Sequence, residues 1–349
     1  MSEPKPVITH RLQNCRRKNS SMPRLTLIAA VALSGCLALF AQDPKQPQNQ
    51  PQKQGKEYTI KADVELVLET VSVLDKEGRP FDGLTKDNFQ VFEDNVSQQI
   101  ESFRHEDSPI SLGLVIDNSG SMRNKRERVN SAALTFVRDS NPEDETFIIN
   151  FDDQAYLEQD FTGSIGDLVD ALDNIDTRGE TALNDAIWLS VNKAKEGKRE
   201  KKALLLITDG EDDASKYNLE KVLAHLKESK VTLYAIGLLE ENDERGGLFH
   251  AAPSKKAKDA LLKYAEVSGG AAYFPKTVDE VEAICKKIAT DLRNNYTIGY
   301  IPKNSKLDGT WRDVKVTLTP PKGVTLKQLT VGYKQGYVAP LADPPGSDR

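Results

Sequence analysis

The stretch that decides the architecture is Pro109-Ile110-Ser111-Leu112-Gly113-Leu114-Val115-Ile116-Asp117-Asn118-Ser119-Gly120-Ser121. It is a near-continuous apolar run that stops at a carboxylate and two hydroxyls. An unbroken run of this length, without polar alternation, reads as a strand buried on both faces. Working outward, Val129, Ala133, Phe136 and Val137 fall on one face of a helix, and Phe147 to Phe151 and Ala155 to Phe161 read as strands. Ser164 and Asp167 have capping-box spacing at the start of a helix that runs through Leu172. Leu183, Ile187, Val191 and Ala194 stripe the next helix, and Ala203 to Ile207 is a second buried-type strand. Leu219, Val222, Leu223 and Leu226 stripe a helix, Val231 to Ile236 is a strand, and Leu261, Leu262 and Ala265 lie in a helix. A short strand, Ala271 to Phe274, precedes a helix striped by Val281, Ile284, Cys285, Ile288 and Leu292. Such alternation over 109–293 predicts an α/β domain, a doubly wound, mostly parallel, Rossmann-like sheet.

The flanks read differently. In 57–106, Val64, Leu66 and Leu68 alternate with polar residues, Val71 to Leu74 continues the strand, and Phe89 to Glu93 and Ile100 to Phe103 are further strands. Asp75-Lys76-Glu77-Gly78 and Asp94-Asn95 are turn signals. In 295–340, Tyr296 to Ile301, Val314 to Leu318 and Leu329 to Tyr337 are strands, with turns at Gly309 and Pro320-Pro321-Lys322-Gly323. Segments of about 50 residues with few large apolar side chains are marginal alone. The expectation is that both flanks pair into one smaller β-sandwich domain with the α/β domain inserted between them. Two separate small β modules are the alternative.

Ligands of doubly wound sheets bind outside the carboxyl ends of the strands, where strand order reverses. Three strand ends carry oxygen donors there. Asp117, Ser119 and Ser121 follow the first strand; Thr181 follows Thr177-Arg178-Gly179-Glu180; Asp209 ends Leu204 to Thr208 and precedes Gly210. Two carboxylates and three hydroxyls form a hard oxygen set suited to Mg²⁺, with Mn²⁺ or Ca²⁺ as substitutes. An open coordination position would accept a carboxylate from outside. Each piece also has an ordinary reading: Asp-Asn-Ser-Gly as a turn, Thr181 as a helix N-cap, Asp209-Gly210 as a plain loop.

This constellation resembles the von Willebrand factor type A (vWA) domain and its metal-ion-dependent adhesion site. Asp117, Ser119, Ser121, Thr181 and Asp209 match the family's metal positions one by one. The resemblance implies direct ligation by the Ser and Thr hydroxyls, Asp ligation directly or through water, and a partner protein's Asp or Glu completing the shell. Glu180 departs from the pattern, which often has Gly before the Thr; its carboxylate would repel an acidic ligand or mimic one. The flanking pieces Asp75 to Gly78, Gly83-Leu84-Thr85, Asn88-Phe89, Val91 to Asp94, Tyr296 to Tyr300 and Gly336-Tyr337 resemble secreted vWA-related proteins of acidobacteria.

The 349-residue chain has a formal net charge of −6, but residues 1–41 carry six Lys and Arg against one acid, leaving 41 basic and 52 acidic residues beyond them. A basic lead followed by the apolar run Leu25 to Ala41 reads as a signal peptide over 1–41, with Met22 as an alternative start. Two processing readings are open. Leu39-Phe40-Ala41 resembles a signal-peptidase site, and Leu33-Ser34-Gly35-Cys36 a lipobox with Cys36 lipidated; an uncleaved anchor is the third. The Gln/Pro-rich 42–56 reads as a disordered spacer, and 341–349 as a tail. An acidic mature chain argues against nucleic-acid binding. Scattered His10, His105, His225 and His250, without HExxH or paired CxxC motifs, argue against a zinc enzyme. Cys285, on a helix stripe, reads as a buried inert thiol, Trp188 as core, and Asp212 and Asp213 as solvated charges. Glu180 and, from the loop 240–256, Arg245 and His250 are candidates for a ligand-contacting rim.

The expected function is therefore a metal-dependent, adhesion-type protein-binding module, secreted or in the periplasm or cell envelope of a bacterium. Membrane association would come only through a lipid anchor or uncleaved signal. A hydrolase using the metal to activate water and an envelope assembly scaffold are the alternatives; no GxSxG elbow, P-loop or general-base pattern favours an enzyme.

Overall fold

A computed structural model describes residues 66–342 apart from 106, 139–140, 174–178 and 240–250. All of these belong to one unit, Ala62–Arg349. The expected signal segment with Cys36, the spacer, Arg245 and His250 lie outside the described residues. No described helix is long and apolar enough to cross a membrane.

In chain order the elements are β1 (Val67–Asp75), β2 (Phe89–Glu93), β3 (Val96–Gln98), β4 (Ile100–His105), β5 (Ile110–Asp117), α1 (Arg126–Arg138), β6 (Glu145–Phe151), β7 (Ala155–Thr162), α2 (Ile165–Asp173) and α3 (Leu183–Lys195). They continue with β8 (Lys201–Thr208), α4 (Leu219–Glu228), β9 (Val231–Gly237), α5 (Ala251–Ser268), β10 (Ala272–Tyr273), α6 (Val281–Arg293), β11 (Tyr296–Tyr300), β12 (Trp311–Leu318), β13 (Leu329–Gly332) and β14 (Gly336–Val338).

The central sheet has the order β10-β9-β8-β5-β6-β7, parallel except for β7, which is antiparallel to β6. All eight residues of β5 are buried, as its unbroken apolar run demands. Apolar faces of α1, α2 and α6 cover one side of the sheet, through Val129, Phe136, Leu168, Leu172 and Ile288. The other side is covered by α3, α4 and α5, through Leu183, Ile187, Val222, Leu226 and Tyr264. The chain leaves β5 toward β6 on one flank and returns to β8 on the other. Strand order therefore reverses at β5, and its carboxyl end is the switch point.

The flanks form two antiparallel sheets, β13-β1-β11-β4 and β14-β12-β2-β3, which share a core of Val71, Val73, Phe89, Val91, Ile298 and Val316. Each sheet mixes N-terminal and C-terminal strands, so the α/β domain is inserted in a sandwich built from both flanks. The insertion is possible because its two chain ends leave neighbouring strands. His105, at the end of β4, pairs with Tyr296, at the start of β11, and their rings stack with centroids 4.2 Å apart.

Three local features add to the sequence reading. The inward residues of β1 are Glu69, Val71 and Val73, whereas Leu66 lies 38 % exposed. The alternation begun at Leu66 and Leu68 thus belongs to the opposite face, above Gly299. The missed strand β3 is short; it pairs with β2 through a tight turn in which Asp94 and Asn95 adopt φ of 47° and 65°, the left-handed region these residues tolerate. Trp188 is only half-buried, stacked between Tyr217 and His225 at 4.2 and 4.0 Å. It packs against the core on the α3–α4–α5 side of the sheet, as expected, and the two rings complete its cover. Cys285 is fully buried, and burial pushes its thiol up to about 12.

Two stability predictions follow from this packing. A methyl group on Gly113, in the middle of β5, would run into Phe147 and Leu204. Gly113→Ala should therefore cost about 1–3 kcal/mol in denaturant unfolding, the usual cost of overpacking; an unchanged midpoint would contradict the tight β5 packing. In the sandwich, burial raises the Glu69 carboxyl from 4.5 to about 8, with the Lys334 charge drawing it partly back. A carboxyl raised in the fold confers stability below its unfolded value that is lost as pH rises through its folded value. Glu69→Gln removes that loss, so the melting temperature of the variant minus that of the wild type should grow from pH 5 to 8. Parallel curves would contradict the assignment.

Candidate metal site

The loops leaving β5 and β8 bring two carboxylates to the switch point. Asp117 is 1 % exposed. Its Oδ1 accepts the Ser119 N–H at 2.8 Å, and its Oδ2 accepts the Thr208 hydroxyl at 2.5 Å. The Asp209 side chain is also 1 % exposed. Its Oδ1 accepts the Ser121 hydroxyl at 2.7 Å, and its Oδ2 accepts Lys125 Nζ at 2.7 Å. Ser119 Oγ and Ser121 Oγ lie 3.1 Å apart. Ser119 and Thr181 are buried, whereas Ser121 is exposed, so the cluster opens to solvent on the Ser121 side.

Thr181 does not cap a helix. α3 begins at Leu183 with Ala182 at its N-cap and no side-chain cap. Thr181 instead sits in the preceding loop. Its N–H donates to Asp213 Oδ1 at 2.7 Å, and its carbonyl accepts the N–H groups of Asp213 and Ala214 at 3.1 and 3.3 Å. Its hydroxyl faces the β8 loop: a Cβ on Gly210 would lie 3.3 Å from Thr181 Oγ1. The loop enters through Gly179 at φ 75°, a conformation that favours glycine. The Gly179 carbonyl accepts the Gly120 N–H at 3.3 Å, the Ala182 N–H donates to the Asp152 carbonyl at 2.6 Å, and the Asn118 N–H donates to the Phe151 carbonyl at 2.7 Å. The β5, β6, β8 and Thr181 loops are thus tied to one another by backbone bonds.

The structure brings Asp117, Ser119, Ser121 and Asp209 into one hydrogen-bonded cluster and sets Thr181 against its edge. Glu180 is exposed beside Thr181. Among the described residues no group of three or more His, Cys, Asp or Glu could hold a metal ion; any ion here depends on the hydroxyls. The donor set fits a hard divalent cation. Burial, with the Asp209 charge adding to it, pushes the Asp117 carboxyl up to about 6 against the hydrogen bonds of Ser119 and Thr208. Two buried like charges, of which only Asp209 is paired with an ammonium, form a setting that a divalent cation would relieve. The polar surround extends to Asn118 Oδ1 and both amide atoms of Asn150, which are buried without a hydrogen-bond partner.

Four residues escape sequence reasoning. Thr208 closes an apolar run and looks like part of it. Lys125 lies among Arg123, Asn124 and Arg126 and looks like a solvated helix lead-in. Asp213 and Asp212, expected to be solvated, are structural: Asp213 holds the Thr181 N–H, and Asp212 accepts the Asn184 N–H and side-chain amide at 3.0 and 2.7 Å. Four acidic positions in the run Asp209 to Asp213 share one composition, and only the fold separates their tasks.

The central part of the chain is similar to known proteins. Residues 112–211 match the family model of the von Willebrand factor type A domain. A protein of the cyanobacterium Synechocystis is 31% identical over 109 residues, 30% of this chain and 26% of that protein; the chain thus spans about a quarter of the length of the curated relative it matches. Among solved structures, proximal thread matrix protein 1 from the mussel byssus, with a zinc-occupied MIDAS motif, aligns at TM-score 0.46 and 16% identity over 57% of this chain and 49% of that chain. An aerotolerance-related membrane protein from Bacteroides fragilis aligns at TM-score 0.43 and 18% identity over 52% of this chain and 98% of that chain. The stretch that carries Asp117, Ser119, Ser121, Thr181 and Asp209 is a von Willebrand factor type A domain.

Proposed function

We propose that the chain is a secreted or envelope-held, adhesion-type binding module. In this reading Asp117, Ser119, Ser121, Thr181 and Asp209 hold Mg²⁺, with Mn²⁺ or Ca²⁺ as substitutes, and a carboxylate of a partner protein completes the shell. The observation that carries the reading is the convergence of these five oxygen-bearing side chains at the switch point, on loops already fixed by backbone bonds. Pre-organisation of this kind reduces the ordering cost of binding. When bound, the ion supplies a concentrated positive charge on the solvent side of the cluster. Asp117 and Asp209 balance it, neutral hydroxyls leave it able to attract an anion, and the exposed Ser121 marks the direction of approach. Glu180, exposed on that rim, disfavours a strongly acidic partner surface and so contributes selectivity. Secretion rests on the basic lead and apolar run of residues 1–41.

The reading is tested on mature wild-type chain and the isosteric Asp117→Asn. MgCl₂ at about 100 times its Kd stabilises a one-site protein by about 2.7 kcal/mol. The wild-type melting temperature should rise by several degrees and that of Asp117→Asn should not. Bead-immobilised wild type should also capture extracellular or envelope proteins in Mg²⁺ and lose them in EDTA. Equal thermal shifts in the two proteins would contradict the ion assignment, and capture unaffected by EDTA would contradict the metal-bridged mode of binding.

A further inference from the structure

The donor cluster already contains a cation of its own. Lys125 closes the 3-10 turn Gly120–Asn124: its N–H donates to the Met122 carbonyl at 2.9 Å, and its carbonyl accepts the Val129 N–H at 3.1 Å at the start of α1. The same turn carries Ser121, so Lys125 is fixed relative to the candidate ligands. Its side chain is 23% exposed, and its Nζ lies 2.7 Å from Oδ2 of the buried Asp209. The remaining oxygen of Asp209 belongs to Ser121. Lys125 therefore occupies the one Asp209 oxygen not already held by a candidate ligand.

We propose that Lys125 is a resident cation that sets both the metal affinity and the ligand charge of this site. The inference rests on the metal reading above. Without metal, Lys125 compensates a carboxylate that would otherwise be buried unpaired, which is costly. When a divalent ion enters, Lys125 opposes it twice: it competes for Asp209 Oδ2, and its charge repels the ion at short range. The same charge then acts in favour of the partner. Two carboxylates neutralise a divalent ion, and the added ammonium leaves the ligand cluster, counted without Glu180 on its rim, with a single net positive charge. Such a site attracts an anionic ligand more strongly than a neutral one would, and the anion in turn tightens the metal, because coupling between two bound species is reciprocal. Metal and carboxylate are thus taken up together, and a site with Lys125 holds its metal loosely until an acidic partner arrives.

The test is calorimetric titration of MgCl₂ into chelator-treated mature wild type, Lys125→Met and Lys125→Arg, with and without sodium acetate at constant ionic strength. Lys125→Met should bind Mg²⁺ about tenfold more tightly than wild type, since a unit charge a few ångströms away is worth about a decade even in a water-like medium. Lys125→Arg, which keeps the charge, should stay near wild type. Acetate should tighten Mg²⁺ binding in wild type and do so less in Lys125→Met. Equal Mg²⁺ affinities in wild type and Lys125→Met would overturn the role of Lys125 while leaving the metal reading intact. Mg²⁺ binding by none of the three would overturn the metal reading and this inference with it. If Lys125→Met does not fold, the wild-type arm decides: Mg²⁺ affinity independent of acetate would overturn coupled uptake.

Discussion

Two carboxylates buried side by side are the constraint on which the upper end of the α/β domain depends. Asp117 and Asp209 stand at the carboxyl ends of the adjacent parallel strands β5 and β8, each with its side chain almost fully withdrawn from water. Buried charge without partners is expensive, and two like charges raise the cost. The surrounding chain answers with a donor for every carboxylate oxygen: Ser119 N–H, Thr208 hydroxyl, Ser121 hydroxyl and Lys125 ammonium. These four groups come from the two strand ends and the first turn after β5. The loops there are accordingly held in one arrangement, which is what an ion-binding or ligand-binding surface requires.

That arrangement in turn needs a rigid floor. The fully buried β5, packed against Phe147 and Leu204 at Gly113, provides it, and helices on both faces seal it from water. The sandwich anchors the domain at the opposite end of β5, where the chain enters from β4. The entering and leaving chains are clamped by the His105–Tyr296 stack, while Asp291 of α6 accepts hydrogen bonds from Ser72 of β1 at 2.5 Å and Tyr234 of β9 at 2.9 Å. Sandwich, terminal helix and central sheet therefore meet in one buried polar junction.

How far the sequence reveals this depends on the periodicity of each part. The run Ile110 to Ile116 and its alternation with amphipathic helices specify the doubly wound sheet, because burial on both faces leaves no other reading for such strands. The position of Asp117 and Asp209 at strand ends then follows from topology alone, whereas Thr181, expected at a third strand end, lies in the loop between α2 and α3. Local charge patterns are less legible. Lys125 sits among other basic residues and Asp213 among other acids, and which of them turns inward is decided by contacts between residues more than 30 positions apart. The covered face of β1 is illegible for a related reason: Glu69 is buried and Leu66 exposed, so the hydrophobic alternation does not mark the inward side. Trp188 shows the same limit, since its stacking partners Tyr217 and His225 arrive from another helix and loop.

In the proposed function the hydroxyls of Ser119, Ser121 and Thr181, with Asp117 and Asp209 behind them, hold one divalent ion at the switch point. Crystals of the protein grown with Mn²⁺ locate that ion by its anomalous signal. A single anomalous peak within ligating distance of all three hydroxyl oxygens is expected. A Mn²⁺ peak located elsewhere, or no peak among these side chains at saturating Mn²⁺, would contradict it.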